Sequence, residues 1–491
     1  MFFAVWILAV SIIPAPRSLT PGNGWLVAPS AAEVRIGESR DAAIPAEGYR
    51  MKVDATAVTI AAADDAGAFY ARETLKQMTE TDKDGAVRIP CAVVDDAPAY
   101  RWRGLMLDEG RHFFGKENVK DLLDLMAMHK LNVFHWHLTE DQGWRFAVAK
   151  YPKLVEYGAV RPGSVSHKWT RQNREIVQQT YGPHFYTRAD LEEVVAYAKA
   201  RHIEIVPEID LPGHQRAALA AYPEFSCVGE GLLPRHPWTD IGVNKEVLCA
   251  GNEAAMRFLE DVLDEVCEIF PFGYVHIGGD ECPKERWNAC PKCQARIRAE
   301  GLADAKALQG WVTRRFTAYL AKKGRTAIGW HEVLEGGAEP GRIVVQNWRQ
   351  PEIGAKAAAD GFTVLQSPYL ETYFSFPQGL ADDPFPYRST GHQLTLEKAY
   401  RFDPAKGMSE SARKNVLGSE CCLWTEMIWN EFDLAWKTWP RACAFAEALW
   451  SAPGARDFNE FRRRMAVHRV RLLRRHVNCA PFDEGCQHKL K

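Results

Sequence analysis

Two carboxylates, Asp280 and Glu281, stand side by side in the stretch YVHIGGDECPKERW (Tyr274–Trp287), behind a short apolar run and two glycines. Residues adjacent on a strand point to opposite faces. Neighbouring acids can therefore share a task only where the backbone turns, and Gly278 and Gly279 permit such a turn. Other short apolar runs close in the same way: on Asp108, Glu109 and Arg111; on His135, His137 and Glu140; on Glu208, Asp210 and His214; on Trp330 and Glu332; on Trp348; on Tyr369 and Tyr373; on Trp424 and Glu426; and His276 precedes the acid pair. Buried acids are costly unless used or paired, so this many at equivalent positions point to one shared site rather than to packing.

Two chemistries use such residues. The first is metal-dependent hydrolysis. HWH puts His135 and His137 two apart on one strand face, and His214, His276 and Asp280 would complete a ligand set. The alternative for the two histidines is a hydrogen-bonded structural role. The second chemistry is cleavage of a glycosidic bond, whose common plan needs two carboxyls about 5–10 Å apart. Adjacent acids do not obviously supply that separation, but substrate-assisted enzymes are an exception to it. If the sugar carries a 2-acetamido group, its carbonyl oxygen attacks C1. One acid then protonates the leaving oxygen, and the other holds the acetamido N–H as an oxazolinium ion forms. Both tasks lie on one side of one sugar, within reach of adjacent acids at a kinked strand end. The 16 Trp of the chain suit the apolar faces of sugar rings, with core packing as the alternative for any one of them.

The elements that must position these residues are eight apolar runs: Arg103–Glu109, Leu131–Glu140, Ile203–Asp210, Tyr274–Glu281, Thr326–Glu332, Arg342–Trp348, Phe362–Pro368 and Val416–Trp424. Helical patterns cover Lys116–His129, Arg188–Arg201, Glu253–Ile269, Ala305–Lys323 and Pro351–Asp360. Buried strands alternating with helices imply a parallel sheet, and eight such units imply a (β/α)8 TIM-type barrel with its chemistry at the C-terminal strand ends. Only Val333–Gly341 separates the fifth and sixth strands, too little for a full covering helix, and long inserts follow the second, third and seventh. Before the barrel, alternation up to Ile60 and a helix over Ala66–Met78 indicate a small α+β domain.

The length of 491 residues fits a large domain with a smaller companion. The expected division is a signal-like segment over 1–18, the α+β domain over 19–98, the barrel over 99–450 and a C-terminal helical segment over 451–491. The run Phe2–Ile13 is too short for an ordinary membrane span, which needs about 20 residues, and has the length of a leader's apolar region; export to the periplasm or cell exterior is the expectation, with a retained lipid-facing anchor as the alternative. A formal net charge of -2 gives no basis for nucleic-acid binding. The 12 Cys are scattered. Cys290 and Cys293 form a C-x-x-C with no second such pair to complete a zinc site of the usual kind, which leaves packed thiols or a local disulfide. No metal and no cofactor is assigned. The basic amphipathic segment Phe458–Arg475 reads as a helix packed on the barrel.

The pieces RGLMLDEGRHF, LNVFHWHLTEDQGWR, PEIDLPGH, HIGGDE, GWHE, NW and LWTE, in this order between about Tyr100 and Trp450, resemble the β-N-acetylhexosaminidases of glycoside hydrolase family 20. The resemblance implies an exo-acting, retaining enzyme that removes terminal β-GlcNAc or β-GalNAc from a glycan. It implies Glu281 as the general acid and base, Asp280 as the partner of the acetamido N–H, and Tyr373 as donor to the acetamido oxygen. Trp330, Trp348 and Trp424 would wall the pocket, with Trp424 as its floor, while Arg111 and Glu426 would bind hydroxyls. Asp210, His214, His276 and Glu140 would support them from behind. A sugar-binding protein without turnover would need the Trp walls but not the acid pair with Tyr373. The chain departs from the family pattern at Ser375, where an Asp is expected after Tyr373-Phe374, and at Gly110, where Ser often precedes the Arg. Loss of a charged acceptor at 375 removes a hydrogen bond of about 1.5–3 kcal/mol and makes room for a substituted O6, such as a 6-sulfate. Gly110 is expected to loosen the Arg111 loop.

Overall fold

The structure is a computed structural model that describes residues 11–170, 172–229, 231, 233–379 and 392–482. Its first body is a six-stranded sheet. Ser18–Ala28 pairs antiparallel with Val87–Asp96, followed in order by Tyr49–Val53, Val58–Ala62 and Ile36–Arg40, and the short Glu80–Thr81 pairs with Val87–Asp96 off this path. Tyr49, Met51 and Val53 are buried while Arg50 and Lys52 are exposed, the alternation of a sheet with one covered face. The cover is the helix Asp65–Met78, capped by Asp64, which accepts the Gly67 N–H.

All eight apolar runs form the strands of one closed parallel barrel. They are Trp102–Asp108, Val133–His137, Glu204–Glu208, Tyr274–His276, Thr326–Trp330, Ile343–Asn347, Val364–Gln366 and Val416–Leu423, referred to below as barrel strands one to eight. Helices Lys116–Met128, Arg188–Lys199, Glu253–Ile269, Ala305–Lys322 and Pro351–Ala359 occupy the expected intervals, and a 3-10 turn, His331–Gly336, fills the short fifth connection. No described helix is long and apolar enough to cross a membrane.

The barrel register places the polar tails on one rim. Asp108 is opposite His137, His137 opposite Glu208, and Glu208 opposite His276. Because side chains repeat every second residue, climbing a strand passes through layers. Val133, His135 and His137 succeed one another, as do Val206, Glu208 and Asp210, and Val344, Gln346 and Trp348. The lowest layer is apolar, with Trp102, Val133, Val206, Ile328, Val344, Leu365 and Leu417 in one cluster.

The next layer is ionic. His135 lies 2.9 Å from Glu208 through Nε2 and 2.9 Å from Glu420 through Nδ1. His276 Nδ1 lies 2.9 Å from Glu208 Oε1, and Trp102, Trp330 and Gln346 donate to these carboxylates. Burial opposes a charge on His135, yet Glu420 and Glu208 hold its pKa up at about 9. The five residues of the metal reading are spread over different layers of this arrangement. Both nitrogens of His135 face carboxylates, His137 sits one layer higher, and His214 and Asp280 belong to the rim above.

Of the segment read as a leader, residues 1–10 lie outside the described residues. Ile12 and Ile13 are buried. Ile13 exchanges two hydrogen bonds with the Gln77 side chain, and Ala15 N–H donates to Glu447. The helix Phe458–Arg474 presses Phe461, Met465, His468 and Leu472 inward, while Arg464 reaches Glu447 and the Ile12 carbonyl, and Arg471 the Gln77 carbonyl. The small domain is joined to the barrel by Asp96, whose carboxylate takes Lys130 Nζ at 2.8 Å, Tyr49 Oη at 2.8 Å and Trp450 Nε1 at 2.8 Å.

Cys290 and Cys293 are not bonded to each other. They face Cys249 and Cys227, so the C-x-x-C has companions. Spacing alone hides them, because Cys227 and Cys249 sit far apart along an irregular loop.

Candidate active site

Barrel strand four ends at His276, and the chain then turns through Gly278 (φ 61°) and Gly279 (φ 97°) to Glu281, itself left-handed at φ 43°. The strand rule that separates neighbours thus no longer applies, and Asp280 and Glu281 both face one cavity of about 330 Å³. Asp210 enforces the turn. Its Oδ1 accepts the Gly279 N–H at 3.1 Å, and a Cβ on Gly278 would lie 1.8 Å from that oxygen. A left-handed non-glycine residue costs about 1–3 kcal/mol and is kept only where its surroundings impose it; Glu281 and His214 (φ 51°) are two of them.

His214 links the acids. Its Nε2 stands 3.9 Å from Asp280 and 4.0 Å from Glu281, and its Nδ1 is 2.7 Å from Glu140 and 3.5 Å from Asp141. Burial opposes protonation, but the Glu140 charge and the hydrogen bonds of Asp141 and Glu140 outweigh it and hold the imidazolium well above the usual histidine range. Glu140 in turn is pulled down to about 2 against its burial, by Arg111 and His214. Asp280 moves the other way. Burial, with the charges of Glu332, Glu281 and Glu208, raises it well above the carboxylate range despite His214. Its side chain is 14% exposed against 34% for Glu281, so Glu281 is the acid nearer the mouth.

Arg111 is fixed from three sides. It contacts Asp108 at 3.2 Å and Glu140 at 3.2 Å, and its guanidinium lies 5.1 Å over the Trp424 ring. The loop that carries it is not loosened by Gly110: Arg145 donates to the Glu109 and Gly110 carbonyls at 2.7 Å each, and Arg161 to the Arg111 carbonyl at 2.8 Å. Buried guanidinium groups thus supply the rigidity that the missing side chain was expected to remove.

Trp348 and Tyr373 stand nearly parallel, 6.4 Å apart, with Trp424 5.9 Å from Tyr373. Trp348 Nε1 is held by Glu332 at 3.1 Å. Burial, with Cys422 nearby, raises the Tyr373 phenol well above its usual pKa and keeps it a hydrogen-bond donor at neutrality. Trp330 does not line the cavity. It is 1% exposed, bonded to Glu208 at 2.9 Å, and underlies Trp424 at 5.8 Å. His276 likewise stays in the ionic layer below. Glu426 lines the cavity near Arg111, which opposes the upward pull of burial on its carboxyl. Arg349, Phe376, His392 and Met427 also line it and were not anticipated. Arg349 directly follows the NW piece, whereas His392 lies in the long seventh insert, where no periodicity marks it.

The description "Glycosyl hydrolase family 20, catalytic domain" matches residues 100–453, and "Glycosyl hydrolase family 20, domain 2" matches residues 26–97. The chain belongs to glycosyl hydrolase family 20. Among relatives in the family, a beta-hexosaminidase of Porphyromonas gingivalis is 38% identical over 92% of this chain, which spans 56% of that protein's length. A beta-hexosaminidase of Akkermansia muciniphila is 36% identical over 87% of this chain and 84% of its own. Among solved family 20 structures, the exo beta-N-acetylglucosaminidase of Vibrio harveyi in complex with N-acetylglucosamine superimposes with a TM-score of 0.87 at 30% identity, over 96% of this chain and 78% of that one.

Proposed function

We propose that this chain is an exo-acting, retaining β-N-acetylhexosaminidase that cleaves terminal β-GlcNAc or β-GalNAc through an oxazolinium intermediate. The observation that carries the reading is the left-handed turn that aims both Asp280 and Glu281 into one aromatic pocket. Glu281, the more exposed acid, protonates the glycosidic oxygen as the acetamido oxygen attacks C1, then takes a proton from the water that opens the oxazoline. Asp280 accepts the acetamido N–H and faces the positive charge that develops on that group. Its raised pKa reflects burial among carboxylates, and the developing oxazolinium charge favours its ionised form. Tyr373 donates to the acetamido oxygen and orients it for attack. Trp424 lies beneath the pyranose and Trp348 beside it, while Arg111 and Glu426 take ring hydroxyls.

The reading extends to sugars substituted at O6. It is supported by Ser375, a short hydroxyl at the position where the family pattern has a carboxylate that would repel a sulfate, and by Arg349 and His392, which line the same pocket. A kcat/KM for an aryl 6-sulfo-β-GlcNAc below one hundredth of that for the unsubstituted sugar would remove the extension and leave the main reading intact.

The main reading is tested with aryl β-GlcNAc and aryl β-glucoside. Release from the first but not the second is expected, unaffected by EDTA and cut by orders of magnitude in both Asp280→Asn and Glu281→Gln. Turnover of the glucoside at a comparable rate would overturn it, because that sugar has no acetamido group to attack C1.

A further inference from the structure

Four cysteines from three separate stretches converge beside the catalytic loops. Cys227 follows the turn Pro223–Phe225, Cys249 precedes the helix Glu253–Ile269, and Cys290 and Cys293 open the helix Pro291–Ala299. Their sulfurs all lie within 4.8 Å of one another. The Cys227–Cys293 separation is 3.8 Å, Cys249–Cys290 is 3.7 Å and Cys249–Cys293 is 3.6 Å. A disulfide closes to about 2.05 Å. Four thiolates about 2.3 Å from a tetrahedral zinc lie about 3.8 Å from each other, and the three separations fall on that edge length. Cys249 makes two of these contacts at once, a branching that no single disulfide requires.

The backbone is shaped to the same end. A Cβ on Gly251 would lie 2.1 Å from the Lys292 carbonyl carbon, so only glycine lets this loop close on the C-x-x-C turn. Cys249, Cys290 and Cys293 are buried, and Trp287 Nε1 on the Leu248 carbonyl at 2.9 Å holds the two segments together.

We propose that Cys227, Cys249, Cys290 and Cys293 bind one Zn²⁺ in a closed tetrahedral site that clasps the loop after barrel strand three to the loop after barrel strand four. All four positions are protein thiolates, so the site is structural, with no place for a reacting water. Binding releases the thiol protons to solvent and changes no oxidation state. The first loop carries Asp210 and His214, and its described residues between Ser226 and Asn252 form no helix or strand; long irregular loops inside a compact domain need such a tie. The second carries Asp280 and Glu281. The clasp therefore sets the distance between His214 and the two acids.

The test is metal analysis of the full chain purified from zinc-supplemented culture, by inductively coupled plasma mass spectrometry. One zinc per chain is expected, released by an organomercurial in step with thiol modification. Cys290→Ser/Cys293→Ser is expected to lose the metal, and Cys267→Ser, outside the cluster, to keep it. Cobalt-loaded protein should show thiolate-to-cobalt charge-transfer absorption, which reads the wild-type site even if the double variant does not fold. Wild-type protein without zinc, with the four cysteines either all titratable as thiols or paired as disulfides by mass, would overturn the proposal. One iron per chain in place of zinc would overturn the choice of metal.

Discussion

His214 Nδ1 stands 2.7 Å from Glu140 Oε1 while its Nε2 faces Asp280 at 3.9 Å and Glu281 at 4.0 Å. One imidazolium therefore couples a buried carboxylate that keeps it charged to the two acids assigned to the reaction. Glu140 also contacts Arg111 at 3.2 Å, so the same carboxylate touches the arginine proposed to bind sugar hydroxyls.

Glu140→Gln is expected to lower kcat/KM by about 10- to 100-fold, since a hydrogen bond to a charged group is worth about 1.5–3 kcal/mol and 1.36 kcal/mol is tenfold in rate. The His214 pKa, held high chiefly by the Glu140 charge against burial, should fall in the variant. The alkaline limb of the kcat/KM profile should then move to lower pH. A pH profile of kcat/KM for wild type and variant checks it; an unmoved alkaline limb counts against the coupling.

Gly278→Ala is expected to lose nearly all activity and to lower the melting temperature. The new Cβ would meet Asp210 Oδ1 at 1.8 Å, at a φ of 61°, and a strained residue of this kind costs about 1–3 kcal/mol. Gly85→Ala is the control, because its φ is also positive but nothing lies within 4 Å. It should lower the melting temperature slightly and leave kcat unchanged.

Asp96→Ala is expected to destabilise the protein by about 3–5 kcal/mol, the range for removing one partner of a buried ion pair. Lys130 would be left buried and unpaired, and burial already lowers its pKa against the pull of Asp96. The double variant Asp96→Ala/Lys130→Met should recover part of the loss. Denaturant unfolding of both variants checks it, with the small domain and barrel followed separately.

His135 sets an alkaline limit on stability. Its folded pKa of about 9 lies above the unfolded value of about 6.5. Its contribution is therefore fully present below pH 6.5 and is lost as pH rises through 9. Melting temperature is expected to fall across that window, and less steeply in Glu420→Gln, which removes the largest upward influence on His135. Equal slopes in the two proteins would show that another group is responsible.

Through its family resemblance the sequence proposes roles for Asp280, Glu281, Tyr373, Trp348, Trp424 and Arg111; by itself it determined the barrel strands and the rim to which their polar tails belong. Both rest on local rules: strand periodicity is two, and parallel strands in register bring their ends to one side. Tertiary structure decided what depends on approach between distant segments. Whether Asp280 and Glu281 face one way depends on Asp210 closing against Gly278 from another strand. Whether Trp330 walls the pocket or supports its floor depends on the layer in which Glu208 lies. The tightness of the Arg111 loop comes from Arg145 and Arg161 of the second insert. Cys227 and Cys249 carry no spacing signal, because a long loop can close at almost any length for a slowly growing entropic cost. Only the folded chain brings them to Cys290 and Cys293.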